Sequence, residues 1–156
     1  MTNLEISNLF SVKGKTVLVT GGSRGIGAAI VQRFAEQGAS VAFTYRSSEE
    51  SAKKVEEAAK ASGATAKGYK SDASSYEQAE ALVKAVLADF ERVDILVNNA
   101  GITKDTLMLR MSEEQWDQVI EVNLKSVFNL TKHILRPMLK NRTGSIINMS
   151  SIVGIS

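Results

Sequence analysis

The chain has 156 residues, enough for one domain with a full hydrophobic core, and its 44% hydrophobic and 23% charged content is that of an ordinary globular protein. A formal charge of +2 gives no case for nucleic acid or a membrane surface, and no apolar run reaches the roughly 20 residues of a membrane span. With no cysteine and a single histidine, His133, there is no disulfide frame, thiolate nucleophile or ordinary metal-ligand set, so no metal is expected and the cytoplasm is the default compartment.

Residues 1–13 carry scattered apolar side chains without a period and read as an N-terminal arm. From Lys15 onward short β-branched runs alternate with helical patterns. The run 16–20 is a buried strand closed by glycines. A helix over 26–37 follows, with Ile26, Ile30, Val31 and Phe34 on one side and Gly38 as its stop. A second strand spans 40–45, a charged, alanine-rich helix spans 48–62, and a weaker third strand spans 65–71. The stretch 75–90 places Ala79, Leu82, Val83, Val86, Leu87 and Phe90 on one helical face. A fourth strand covers 93–97 and a fifth covers 145–149. Between them lies a long helical stretch capped by Ser112, whose Glu113 and Glu114 suit a positive helix start. The β-α-β-α order predicts an α/β fold, a Rossmann-type doubly wound parallel sheet with strand order 3-2-1-4-5 over 14–156.

Chemistry concentrates where strands end. Gly21, Gly25 and Gly27, with Ser23, Arg24 and Ile26 between them, turn the first strand into the first helix. Glycine there lets backbone N–H groups approach a pyrophosphate at the positive helix end, although the spacing Gly-x-x-x-Gly-x-Gly differs from the usual dinucleotide fingerprint. A plain tight turn is the alternative. Folds that bind NAD place an acid after the second strand, for the ribose 2′-hydroxyl; here stand Tyr45, Arg46 and Ser47. Arg46 and Arg24 suit a 2′-phosphate instead, which favours NADP(H); two solvated surface charges are the alternative. Asp72, followed by Ala73, ends the third strand, where its carboxylate either accepts from an adenine amino group or caps the next helix.

Asn98, Asn99, Ala100 and Gly101 end the fourth strand in a turn small enough to approach a ligand. Amides that tie neighbouring strands together are the structural alternative for one of the pair. Asn123 falls in the apolar stripe of Trp116, Val119, Ile120, Val127, Leu130 and Ile134. A buried amide there costs about 1–3 kcal/mol unless partnered, so it serves a polar network, a helix distortion or a purely structural bond. Ser150 and Ser151 stand at the carboxyl end of the fifth strand, where a hydroxyl can hold a substrate carbonyl. No Gly-x-Ser-x-Gly elbow makes either a hydrolase nucleophile, and His133 reads as a helix-surface or satisfied side chain.

Taken together, 20–27, Asp72, 98–101, Asn123 and Ser151 resemble the short-chain dehydrogenase/reductase family over roughly residues 14–156. The stretches 101–111 and 122–128 are similar to its 3-oxoacyl-[acyl-carrier-protein] reductases of bacterial fatty-acid synthesis. That resemblance implies NADPH-dependent reduction of a 3-oxoacyl thioester, with Ser151 orienting the substrate and Asn123 holding a water of the proton relay. It further implies docking of acyl carrier protein at Arg142, helped by Lys140, and a homotetramer in the full-length protein. The family's Tyr-x-x-x-Lys has no counterpart here: Tyr45, Tyr69 and Tyr76 are not followed by a lysine four residues on. The resemblance therefore implies a chain truncated before the later strands, inactive alone, with its fifth strand an exposed edge. A reductase of another small ketone or alcohol, and a non-catalytic nucleotide-binding module, are the competing readings.

Overall fold

The computed structural model describes residues 10–151; the expected N-terminal arm falls mostly outside them. Five parallel strands form one sheet: β1 (Thr16–Val19), β2 (Ser40–Tyr45), β3 (Ala66–Lys70), β4 (Ile95–Asn98) and β5 (Ser145–Asn148). Their order is β3-β2-β1-β4-β5, as the alternating pattern implied. The helices are α1 (Gly25–Glu36), α2 (Glu49–Ala61), α3 (Tyr76–Phe90), α4 (Glu113–Ile120) and α5 (Ser126–Asn141).

Strand side chains alternate between two apolar layers, because successive residues of a strand point to opposite faces. Val17, Val19, Val41, Phe43 and Val97 pack on one face with Val31 of α1 and Ala52 and Ala59 of α2. Leu18, Ala42 and Leu96 pack on the other with Leu82, Val83 and Val86 of α3 and Leu130, Ile134 and Met138 of α5. The centre is therefore covered twice, which accounts for the continuous β-branched runs of β1 and β4. Asp94 ties β4 to β1: its carboxylate accepts the Thr16 N–H at 2.9 Å and pairs with Arg92.

The expected single long helix is in fact interrupted. Ser112 caps α4 in a reciprocal box with Gln115, and a π-helical turn, Glu121–Lys125, then joins α4 to α5. A π turn inserts a residue and rotates everything after it, so the apolar stripe does not stay on one face. Leu130 and Ile134 are buried, whereas Trp116, Ile120, Leu124 (63% exposed) and Phe128 (56%) face outward. With Ile147 and Met149 exposed as well, the β5 edge is bordered by uncovered apolar side chains.

Candidate functional site

All five strands point the same way, and the connections from β1 and β4 leave in opposite directions, which opens a crevice at the carboxyl edge between them. A cleft of about 490 Å³ lies there. Of the residues read from the sequence as cofactor-contacting, all but Asn98 line it: Gly21, Ser23, Arg24, Gly25, Ile26 and Gly27; Arg46 and Ser47; Asp72 and Ala73; Asn99, Ala100 and Gly101. Ile26, assigned from periodicity to the buried helix face, is 67% exposed and borders the cleft, because the first turn of α1 rises above the sheet edge.

The three glycines are required for three different reasons. Gly21 has φ +68°, and a side chain on it would meet Ala100 Cα at 3.1 Å. Gly25 has φ +55° and nothing within 4 Å, so it leaves open space at the helix start. A Cβ on Gly27 would lie 2.1 Å from Gly21 O and 2.6 Å from Asn99 Nδ2, so α1 packs backbone to backbone on the turn. Thr44 and Thr20 hold that turn. Gly21 N–H donates to Thr44 Oγ1 at 3.0 Å, and Thr20 Oγ1 accepts from Asn99 N and Ala100 N, both at 2.9 Å. Asn99 closes the frame by donating to Thr20 O at 2.9 Å and Gly21 O at 3.3 Å.

Arg24 precedes α1 in extended backbone, without a side-chain cap, and no acid occupies the first turn. The leading N–H groups of α1 and its dipole thus meet the cleft uncompensated, which suits an anion. Arg46 is paired with Asp72, Nε to Oδ2 at 3.2 Å. Asp72 Oδ1 accepts from Ser74 N–H at 3.0 Å and Ser74 O–H at 2.7 Å, and Ser75, not Asp72, caps α3. Burial pushes the Asp72 carboxyl up, but the two Ser74 bonds and Arg46 bring it below its ordinary value.

The two asparagines of β4 separate. Asn98 is buried on the far side of the strand and donates to Asn148 Oδ1 at 2.9 Å and Thr131 Oγ1 at 3.4 Å. It thus ties β4 to β5, the structural role the sequence left open for one of the pair, and it does not line the cleft. Asn123 also differs from expectation: it is exposed, not buried, since it sits in the π turn. Both ends of its amide are nonetheless engaged, Oδ1 accepting from Ile102 N at 2.8 Å and Nδ2 donating to Ile102 O at 2.9 Å. It thereby fixes the segment that follows Gly101 at the cleft rim. Ser150 and Ser151 are exposed beyond β5. His133 is half-buried: it packs on Tyr76 with ring centroids 4.5 Å apart, and its buried Nε2 has no hydrogen-bond partner among the described residues. Lys140 and Arg142 lie at the end of α5, before β5, and so at the opposite sheet edge from the cleft.

Sequence reasoning missed Thr44, Ser48, Ser71, Ile102 and Val122 in the lining. Thr44 carried a signal, a hydroxyl at the end of a buried strand. The others depend on loop paths.

A family model for short chain dehydrogenases matches residues 15–156. The chain belongs to that family. It is 46% identical over 140 residues to the 3-oxoacyl-[acyl-carrier-protein] reductase FabG of Staphylococcus epidermidis, and 47% identical over 144 residues to that of Vibrio cholerae. The alignments cover 90% and 92% of this chain but 57% of each relative, so the chain spans a little over half their length. Among solved structures it is similar to NAD+-bound xylitol dehydrogenase, with a TM-score of 0.89 and 30% identity over 93% of this chain and 56% of that one. A variant of the Serratia marcescens short-chain dehydrogenase/reductase gives a TM-score of 0.79 and 37% identity over 81% of this chain and 52% of that one.

Proposed function

We propose that the protein carrying this chain reduces a 3-oxoacyl thioester on acyl carrier protein to the 3-hydroxyacyl thioester with NADPH, as a cytoplasmic step of fatty-acid synthesis. Residues 14–156 are its NADP-binding Rossmann domain. The observation that carries the cofactor choice is a cleft whose anion seat at α1 is flanked by Arg24 and Arg46, with no acid directly after β2. The open space at Gly25 and the uncapped start of α1 fit a pyrophosphate, and the two guanidinium groups fit a 2′-phosphate. Similarity to the two FabG proteins supports the substrate class.

When bound, the reduced nicotinamide supplies the hydride. The chain's own residues bind and orient. Backbone N–H groups of the Gly21–Gly27 turn hold the pyrophosphate. Asn123 fixes the rim through Ile102 and takes part in the proton relay, and Ser151 orients the substrate carbonyl beyond β5. No tyrosine of residues 1–156 stands four before a lysine, so proton donation is not assigned to this chain. The same reading gives a homotetramer and places carrier docking at Arg142 and Lys140. Those two are separated from Ser151 by at least the length of β5, roughly 13 Å at about 3.3 Å per residue.

The test is NADPH consumption by protein that includes this chain, with a 3-oxoacyl thioester on acyl carrier protein and with simple ketones. Thioester-dependent consumption that collapses in Ser151→Ala is expected. Turnover of simple ketones without use of the thioester would overturn the substrate assignment.

A further inference from the structure

Three charged side chains line the cleft at the corner where the ends of β2 and β3 face the start of α1: Arg24, Arg46 and Asp72. They are not equivalent. Arg24 has no side-chain hydrogen bond or ion pair among the described residues, whereas Arg46 is held through Nε by Asp72. Asp72, in turn, is fixed from three directions. Ser74 donates twice to Oδ1, and the Asp72 N–H donates to Gln78 Oε1 at 2.9 Å. The fully buried Asn129 holds the next two carbonyls, of Ala73 at 3.1 Å and Ser74 at 3.0 Å. The carboxylate is thus a stationary charge and Arg46, 71% exposed, is the mobile partner.

We propose that Asp72 sets the selectivity of this corner for a 2′-phosphorylated adenosine, acting as the fixed counter-ion of Arg46. The inference rests on the reading of the cleft as an NADPH site and specifies how that site discriminates. One of the two arginines is already neutralised, so a 2′-phosphate meets a single uncompensated guanidinium, that of Arg24. A phosphate held by the outer nitrogens of Arg46 would stand about one guanidinium's width from the Asp72 carboxylate, which would repel it. The corner therefore prefers the phosphorylated ligand less strongly than two free arginines would. A unit charge about 6 Å from a phosphate bearing roughly 1.5 to 2 charges, at solvent dielectric and low salt, changes binding about fivefold.

Asp72→Asn removes that charge and keeps the shape and the oxygen that accepts from Ser74. The adenosine half alone suffices as a probe, so the full chain is titrated calorimetrically with 2′,5′-ADP and 5′-AMP at low salt. Wild type is expected to prefer 2′,5′-ADP, and Asp72→Asn to raise that preference about fivefold. Arg46→Gln, which leaves the carboxylate unopposed, is expected to lower it, and the double variant Arg46→Gln/Asp72→Asn to recover most of the loss. A carboxylate that merely fixes the turn would shift both ligands alike and leave the ratio unchanged; one that merely aims Arg46 would lower the ratio in Asp72→Asn. Either result, with wild type preferring 2′,5′-ADP, overturns the counter-ion role alone. A wild type that binds both equally, or neither, overturns the cofactor reading beneath it.

Discussion

Replacing Gly27 by alanine tests the packing on which the cleft depends. The added methyl would lie 2.1 Å from Gly21 O, about 1.3 Å short of the 3.4 Å at which ordinary contact begins. The obstacle is backbone, and it is fixed: Gly21 N–H is bonded to Thr44, and Ala100 Cα sits 3.1 Å from where a Gly21 side chain would start. No rotamer change relieves the clash, so α1 and the turn must part. Overpacking of this kind costs roughly 1–3 kcal/mol. Opening the turn also weakens the two Asn99 bonds to Thr20 O and Gly21 O, each worth about 1 kcal/mol. Alanine's better helix propensity returns at most about 1 kcal/mol. The net loss is about 2 kcal/mol, or a fall of roughly 4–8 °C in melting midpoint for a domain of this size. Gly25→Ala provides the contrast. Nothing lies within 4 Å of its Cβ, so only the positive φ counts, at about 1 kcal/mol, while the methyl enters the anion seat. Urea denaturation and NADPH titration of both variants separate the two effects. Gly27→Ala should lose stability and binding together; Gly25→Ala should lose chiefly binding. A Gly27→Ala protein that unfolds at the wild-type urea midpoint would refute the close-packing argument.

Other outcomes follow from particular contacts. Asn98→Ala should cost about 1–3 kcal/mol in urea unfolding, because Asn148 and Thr131 lose their partner, and leave nucleotide affinity unchanged. In protein containing this chain, Asn123→Leu should reduce turnover more than cofactor affinity, read as kcat against the NADPH dissociation constant; normal turnover would leave the amide a structural bond to Ile102. Burial pushes the Glu56 carboxyl up, yet the Lys60 contact, the Gly68 N–H and Lys67 bring it below its ordinary value, as Ser74 and Arg46 do for Asp72. Carboxyls depressed in the folded state stabilise it above the unfolded carboxylate range, and that stability is lost as pH falls through their folded values. The urea midpoint should therefore hold from neutrality to the ordinary carboxylate range of about 4 and decline below it, less steeply in Glu56→Gln. Arg142 ends α5 at φ +52°, so Arg142→Gly should leave the melting midpoint unchanged or slightly raised; a clear fall would show that its side chain stabilises the helix end.

Strand order was legible because it follows from the β-α-β-α succession and the right-handed crossover, and the cover of helices on both sheet faces because the strands are short continuous apolar runs. The glycine turn and both arginines were legible as well, since their position relative to β1 and β2 is local. Parity along β4 could have separated Asn98 from Asn99: Leu96 and Val97 already point to opposite layers, which sends neighbouring asparagines apart. The exposure of Asn123, Leu124 and Phe128 was not legible, because counting by helical spacing assumes an unbroken helix and the π turn inserts a residue into it. The Arg46–Asp72 pair was hidden for another reason. Each was read alone, and only the parallel register of β2 with β3, Tyr45 opposite Lys70, brings Arg46 level with Ser71 and so next to Asp72, one residue further on.

The central claim is that the turn from β1 to α1, with Arg24 and Arg46, binds the phosphates of NADPH. Amide chemical-shift mapping of the isotope-labelled chain, titrated with NADPH and then with NADH, tests it most directly. The largest shifts should fall at Gly21, Ser23, Gly25, Gly27 and Ser47, and NADPH alone should perturb the side chains of Arg24 and Arg46 strongly, at lower ligand concentration than NADH requires. Shifts centred on the groove between α5 and β5, or identical titrations with the two nucleotides, would contradict it.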